Sequence, residues 1–255
     1  MKKKLIYCIL FLLIIFTIIG VWFVSKHETV AIIGAMDVEI EEILSNLSNV
    51  RNKQYSEFKI TTGNLGKYRI VLSKSGVGKV ASATTTQFII DKYKPIYVIN
   101  VGIAGSLSPD LKVGDTVIAE KMVQHDFDIT QFGKPRGYID SETEPDKPTF
   151  FYSDKNLIAK FKDSNSVKLG TIATGDIFVS DSKIKHKLRE EFGADMADME
   201  SAAIAHAARR NNTPVIILRA ISDGVKDTEN EYKQNKPDIA KIPALMAVKV
   251  LKADK

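Results

Sequence analysis

The chain has 255 residues, 44% of them hydrophobic and 26% charged, a balance that excludes a disordered, collagenous or disulfide-stapled protein. A single cysteine, Cys8, excludes a disulfide framework and a cysteine zinc site, and four scattered histidines offer no paired metal ligands, so no metal site is expected. The net charge of +5 points weakly to a polyanion: Lys2, Lys3, Lys4 and Lys26 against Glu28 place three of those charges in the first 28 residues, and no Lys/Arg run follows.

The first predicted element is the uncharged run from Leu5 to Val24 behind three lysines. Twenty residues at about 1.5 Å each match a hydrocarbon core of roughly 30 Å. A cleavable signal would have a shorter apolar core and a small-x-small exit, which Gly20–Ser25 lacks. The sequence therefore predicts residues 1–28 as an N-terminal membrane anchor or uncleaved signal, with Trp22 at the interface. The lysines stay in the cytoplasm, so a membrane-anchored protein with an extracytoplasmic body is expected. Nucleic acid is not an expected partner.

From Thr29 the pattern alternates. "TVAIIG" reads as a strand, and "DVEIEEILSNL" as a helix with Ile40, Ile43, Leu44 and Leu47 at helical spacing. "YRIVLSKSG", "IYVINVGIAG", "GDTVIAEKMVQHD", "VKLGTIATGDIFV" and "PVIILRAISD" read as further strands. "KVASATTTQFIIDKY", "KNLIAKF", "KIKHKLREEF" and the C-terminal "KIPALMAVKVLKADK" read as helices. Gln131–Pro148 is the one long loop. This alternation predicts an α/β domain over 29–255 with helices on both faces of a sheet.

In such sheets ligands bind beyond the carboxyl ends of the strands. Those ends carry Met36 and Glu39; Gly102, Ile103, Ala104 and Gly105; Phe178 and Val179; Met199 and Glu200; and Asp223. There is no Ser/His/Asp order and no cysteine nucleophile, which argues against covalent acyl transfer. "SGVGK" at 75–79 lacks P-loop spacing, and "GIAGS" at 102–106 is not GxGxxG, so each reads as a tight turn. Glu39 alone would read as a helix cap, Asp223 as a turn residue, Phe178 as core, and Met36 and Met199 as core filler.

Together, "IIGAMDVEI", "SGVGKV", "NVGIAG", "VGD", "HDFDIT" with a following "FG", "TGDIFV", "DMESAAIAH" and "RAISD" resemble, in this order, the bacterial 5′-methylthioadenosine/S-adenosylhomocysteine nucleosidases of the nucleoside phosphorylase superfamily. The resemblance covers the body and not residues 1–28. It implies a three-layer αβα sandwich with a mixed central sheet, phosphorylase/hydrolase-like, and a homodimer that hydrolyses the N-glycosidic bond of an adenine nucleoside without metal or cofactor.

By motif, the resemblance makes Glu39 the water-activating carboxylate and Asp223 the acid that protonates adenine N7. Glu200 would bind the ribose hydroxyls, Met199 lie under the sugar, Phe178 stack on adenine and the Val179 backbone read the purine edge. Ile129 would be lent by a neighbouring subunit to the 5′-thioalkyl pocket, with Tyr232 a further candidate to close it. Met36 and the Ile103–Gly105 turn complete the expected binding set. Ile103 departs from the hydroxyl residue that many members carry there. The chemistry asks for two carboxyls in opposite protonation states, and Asp223 is expected to be the drier one that keeps its proton. A phosphate-dependent phosphorylase and an exported binder of polyanions such as glycosaminoglycans are the alternatives.

Overall fold

The computed structural model describes residues 27–139, 146–162, 167–226 and 228–254. In chain order its elements are β1 (Thr29–Gly34), α1 (Asp37–Ser45), β2 (Ser48–Tyr55), β3 (Phe58–Leu65), β4 (Tyr68–Lys74), α2 (Lys79–Tyr93), β5 (Tyr97–Ser106), β6 (Thr116–Gln124), β7 (Phe150–Tyr152), α3 (Lys155–Lys162), β8 (Lys168–Thr174), α4 (Ser182–Phe192), β9 (Met196–Asp198), α5 (Ser201–Arg210), β10 (Val215–Asp223), α6 (Thr228–Ile239) and α7 (Lys241–Ala253).

The apolar runs become the buried strands because both of their faces are covered. Along β1, Ala31 and Ile33 point to one face, where they join Ile89 and Ile90 of α2 and Ala202 and Ile204 of α5. Val30 and Ile32 point to the other, joining Ile43 of α1, Phe161 of α3 and Ala247 of α7. Helices on both faces of the sheet are what the alternation predicts.

The sheet departs from a flat middle layer. β10 pairs with β5 in parallel and with β6 antiparallel, and β6, β8, β9 and β5 pair in succession. These five strands close into a ring. The remaining arm runs β5–β1–β4–β3–β2 and ends on β2, where almost every residue is exposed. Arg51 and Lys53 put charge on that edge, which discourages further pairing.

The span expected over Leu5–Val24 lies outside the described residues. Among the described residues no helix is long and apolar enough to cross a membrane. The longest, α2, has 15 residues, roughly 22 Å at about 1.5 Å per residue against a core of roughly 30 Å. The expected membrane-anchored, extracytoplasmic placement is corrected accordingly: the described chain supplies no membrane anchor.

Candidate active site

The carboxyl ends of β1, β5 and β10 meet β9 and the start of α5 around a cavity of about 80 Å³. Ten of the twelve expected site residues line it: Met36, Glu39, Ile103, Ala104, Gly105, Phe178, Met199, Glu200, Asp223 and Tyr232. Val179 lines a smaller pocket that shares Gly105, Phe178, Met199 and Asp223. Ile129 does not line the cavity of its own chain; it stands just before a 3₁₀ turn at Thr130–Phe132.

Glu39 sits at the third position of α1 and is 3% exposed. Its Oε2 accepts from the N–H groups of Ala35 at 2.7 Å and Met36 at 3.0 Å, and Oε1 accepts from Ile103 N–H at 3.2 Å. The cap reading and the site reading therefore both describe one carboxylate. Three of its roughly four lone-pair directions hold fixed donors, so it cannot swing away. Burial pushes its pKa above the usual carboxylate value, against the opposing pull of Arg219 and the three N–H groups. A base displaced toward neutrality is a stronger proton acceptor.

Asp223 ends β10, where the pairing with β5 slips between Ile221 and Asp223. Such a bulge re-aims the following side chain. Asp223 then lies over Gly105, whose missing Cβ would stand 2.7 Å from Asp223 Oδ2. A Cβ on Gly102 would stand 2.8 Å from Glu39 Oε1. The "GIAG" turn thus places one glycine beneath each carboxyl group, and neither has a positive φ. The demand is for space rather than backbone freedom.

Asp223 is 1% exposed, so it is scarcely drier than Glu39; their partners separate them. Asp223 Oδ1 accepts from the Ser222 hydroxyl at 2.7 Å and Oδ2 from Lys185 Nζ at 3.1 Å. Burial still raises its pKa above the usual aspartate value.

Glu200 precedes α5 without capping it. Asp198 caps the helix instead, its Oδ2 accepting from Ser201 N–H at 3.0 Å. Glu200 is left free to turn inward, where Oε1 accepts from Gly78 N–H at 3.0 Å. Gly78 has φ +100°, so the "SGVGK" turn acts as a backbone donor. Burial first, and the neighbouring charge of Asp198 second, raise the Glu200 pKa to about 7.

Beneath these groups Arg219, 1% exposed, donates to Asp198 Oδ2 at 2.7 Å and to Asn100 Oδ1 at 2.6 Å. Asp198 and Ser222 line the cavity beside the expected residues, as do Ala35, Val77 and Ala197. Sequence reasoning gave no part to these five. Asp198 carried a signal, since it directly precedes Met199 and Glu200, but its pairing with Arg219 spans 21 positions.

Phe178 is 44% exposed, which excludes the core reading. Its ring meets Tyr232 edge-on at 5.1 Å, and the Tyr232 hydroxyl lies 4.0 Å from Met36 Sδ. Aromatic and thioether groups thus line the cavity together with the carboxylates.

A family model described as "Phosphorylase superfamily" matches residues 29–252. The 5′-methylthioadenosine/S-adenosylhomocysteine nucleosidase of Bacillus subtilis (strain 168) is 35% identical over 230 residues, 87% of this chain and 97% of its own. The chain belongs to this nucleosidase family. Among solved structures, the family's enzyme from Neisseria meningitidis, in complex with methylthio-immucillin-A, superposes with a TM-score of 0.82 at 35% identity, covering 89% of this chain and 99% of that one. Futalosine hydrolase of Helicobacter pylori strain 26695 is similar in shape as well, with a TM-score of 0.83 at 29% identity over 90% and 99% of the two chains.

Proposed function

We propose that residues 29–255 form a catalytic unit that hydrolyses the N-glycosidic bond of 5′-methylthioadenosine and S-adenosylhomocysteine, releasing adenine and the 5-thioribose product. The observation that carries the choice of water over phosphate is the charge of the cavity wall. Among the described residues, that wall presents the carboxyl groups of Glu39, Asp198, Glu200 and Asp223 and no cationic side chain. The nearby Arg219 is already committed to Asp198, Asn100 and the Leu218 carbonyl. A phosphate dianion would meet repulsion there, whereas water meets a base.

In this reading Glu39 orients a water and takes its proton as that water adds to the anomeric carbon. Asp223 gives a proton to adenine N7, so the base leaves neutral. Glu200 accepts from the ribose hydroxyls, while Met199 and Met36 pack on the sugar side. Phe178 stacks on the base, Val179 reads its edge through the backbone, and the Ile103–Gly105 turn lets the nucleoside approach β5. Tyr232 covers the 5′ end. Ile129, which does not line its own cavity, is supplied by a partner subunit in a homodimer.

Adenine release by the 29–255 fragment, assayed with and without phosphate, tests the reading. Phosphate-independent release from either nucleoside is expected; strict phosphate dependence would overturn it.

Glu200→Gln is expected to lower turnover by about 10- to 100-fold, because a neutral amide accepts weakly from two hydroxyls and presents a donor to one of them. Its effect on stability has a defined sign. A folded pKa of about 7 exceeds the ordinary value of 4.5, so the wild-type domain loses stability as pH rises from about 4.5 through about 7. The size is on the order of 3 kcal/mol. The variant should lack that decline in urea titrations at pH 5 and pH 8. A variant unfolded at both pH values would show Glu200 to be structural.

A further inference from the structure

One fully buried cationic side chain stands behind the cavity wall. Lys185 lies in α4, and its side chain has no exposed surface, while its neighbour Ile184 is 44% exposed. The local pattern is inverted: the helix buries the lysine and presents the isoleucine to solvent. A lysine is almost never fully buried unless paired, and such breaks of a local rule concentrate at functional sites. Lys185 Nζ donates to Asp223 Oδ2 at 3.1 Å and to the Gly224 carbonyl at 2.5 Å. The helix is fixed by Asp181, whose carboxylate accepts from the N–H groups of Lys183 and Ile184.

Resting on the nucleosidase reading, we propose that Lys185 is the positioning residue for Asp223: it holds the carboxyl over Gly105 and stabilises the carboxylate formed when Asp223 gives its proton to adenine N7. In that step the Asp223 O–H bond breaks and the N7–H bond forms. The N9–C1′ bond breaks with its electron pair staying on adenine. The proton of the attacking water passes to Glu39, and solvent later returns a proton to Asp223 and removes the one on Glu39. The charge left on Asp223 faces an ammonium already in place.

The groups facing Asp223 come from three elements. Ser222 on β10 and Lys185 on α4 favour its ionised form. Glu231 on α6, whose Oε2 accepts from Gly224 N–H at 2.6 Å, opposes it, and burial opposes it most. Without Lys185 the carboxyl would hold its proton too tightly to be an effective acid.

The test uses Lys185→Met and Lys185→Arg with two substrates, methylthioadenosine and a 5-thioriboside bearing 4-nitrophenolate, a leaving group that needs no proton. Lys185→Met is expected to lower kcat for methylthioadenosine by about 10- to 100-fold with little change in KM, as a weakened general acid would. The alkaline limb of its pH–rate profile should move to higher pH. The nitrophenyl substrate should lose far less, and Lys185→Arg should restore the limb. In the unliganded protein, a ¹³C titration of the Asp223 carboxyl should show its midpoint rising in Lys185→Met. Equal losses on both substrates, or an unmoved midpoint, would overturn the proposal. Failure of the wild-type chain to release adenine would sink the nucleosidase reading alone, since the midpoint still decides whether Lys185 governs Asp223.

Discussion

Glu39→Gln is expected to reduce kcat by about 10³-fold, within the range found for removal of a general base. The substitution keeps the side-chain length and removes the proton acceptor. It also disturbs the cradle in a definable way. Ala35, Met36 and Ile103 all aim N–H groups at two oxygens, and an amide offers only one oxygen. One buried donor then faces an NH₂ group, at about 1–3 kcal/mol. Arg219 keeps its ion pair with Asp198, so the network beneath the site survives.

The two consequences separate in measurement. Thermal unfolding should shift modestly, and binding of an unreactive nucleoside analogue should persist, while single-turnover adenine release collapses. The wild-type rate should fall as pH drops through the raised Glu39 pKa, because only the ionised carboxylate can take a proton. That acid limb should vanish in the variant. Near-normal turnover in Glu39→Gln would remove Glu39 from the chemistry.

How much of this was legible before folding differs by residue. β1, β5 and β10 are rich in valine and isoleucine, so the strand ends that carry Glu39, Gly102–Gly105 and Asp223 could be marked from the sequence. β2 could not, because an exposed edge strand has no apolar alternation; β9, at three residues, is too short for any period to show. The closure of five strands into a ring rests on β10 pairing twice, a property of register that no local pattern records.

The site shows the same division. Residue types at strand ends announced the carboxylates, yet the groups that set their behaviour arrive from far along the chain. Gly78 reaches Glu200 across 122 positions and Lys185 reaches Asp223 across 38. Helical periodicity in "KIKHKLREEF" favours burying Ile184 over Lys185, so it pointed away from the ion pair. The steric part played by Gly102 and Gly105 likewise emerges only when two carboxyl groups are placed above them.

Asp223→Asn separates acid catalysis from the fold more sharply than any other single change. Asparagine can donate a hydrogen bond to N7 but cannot release a proton, so kcat for methylthioadenosine is expected to fall by about 10²- to 10⁴-fold. Burial raises the Asp223 pKa, and the active form is the protonated one, so the wild-type rate should fall as pH rises through that value. The variant should show no such limb.

A second effect follows from Lys185. Above the raised Asp223 pKa the two groups form a fully buried ion pair, and removing one partner of such a pair typically costs about 3–5 kcal/mol. Asp223→Asn should therefore be destabilised relative to the wild type at pH values above the Asp223 pKa, because Lys185 Nζ keeps only the Gly224 carbonyl as a strong acceptor. Adding Lys185→Met should recover much of that stability in urea unfolding without recovering adenine release. If the double variant regains turnover, the loss in Asp223→Asn came from a stranded charge rather than a missing acid. If it regains stability alone, Asp223 serves to protonate the leaving base.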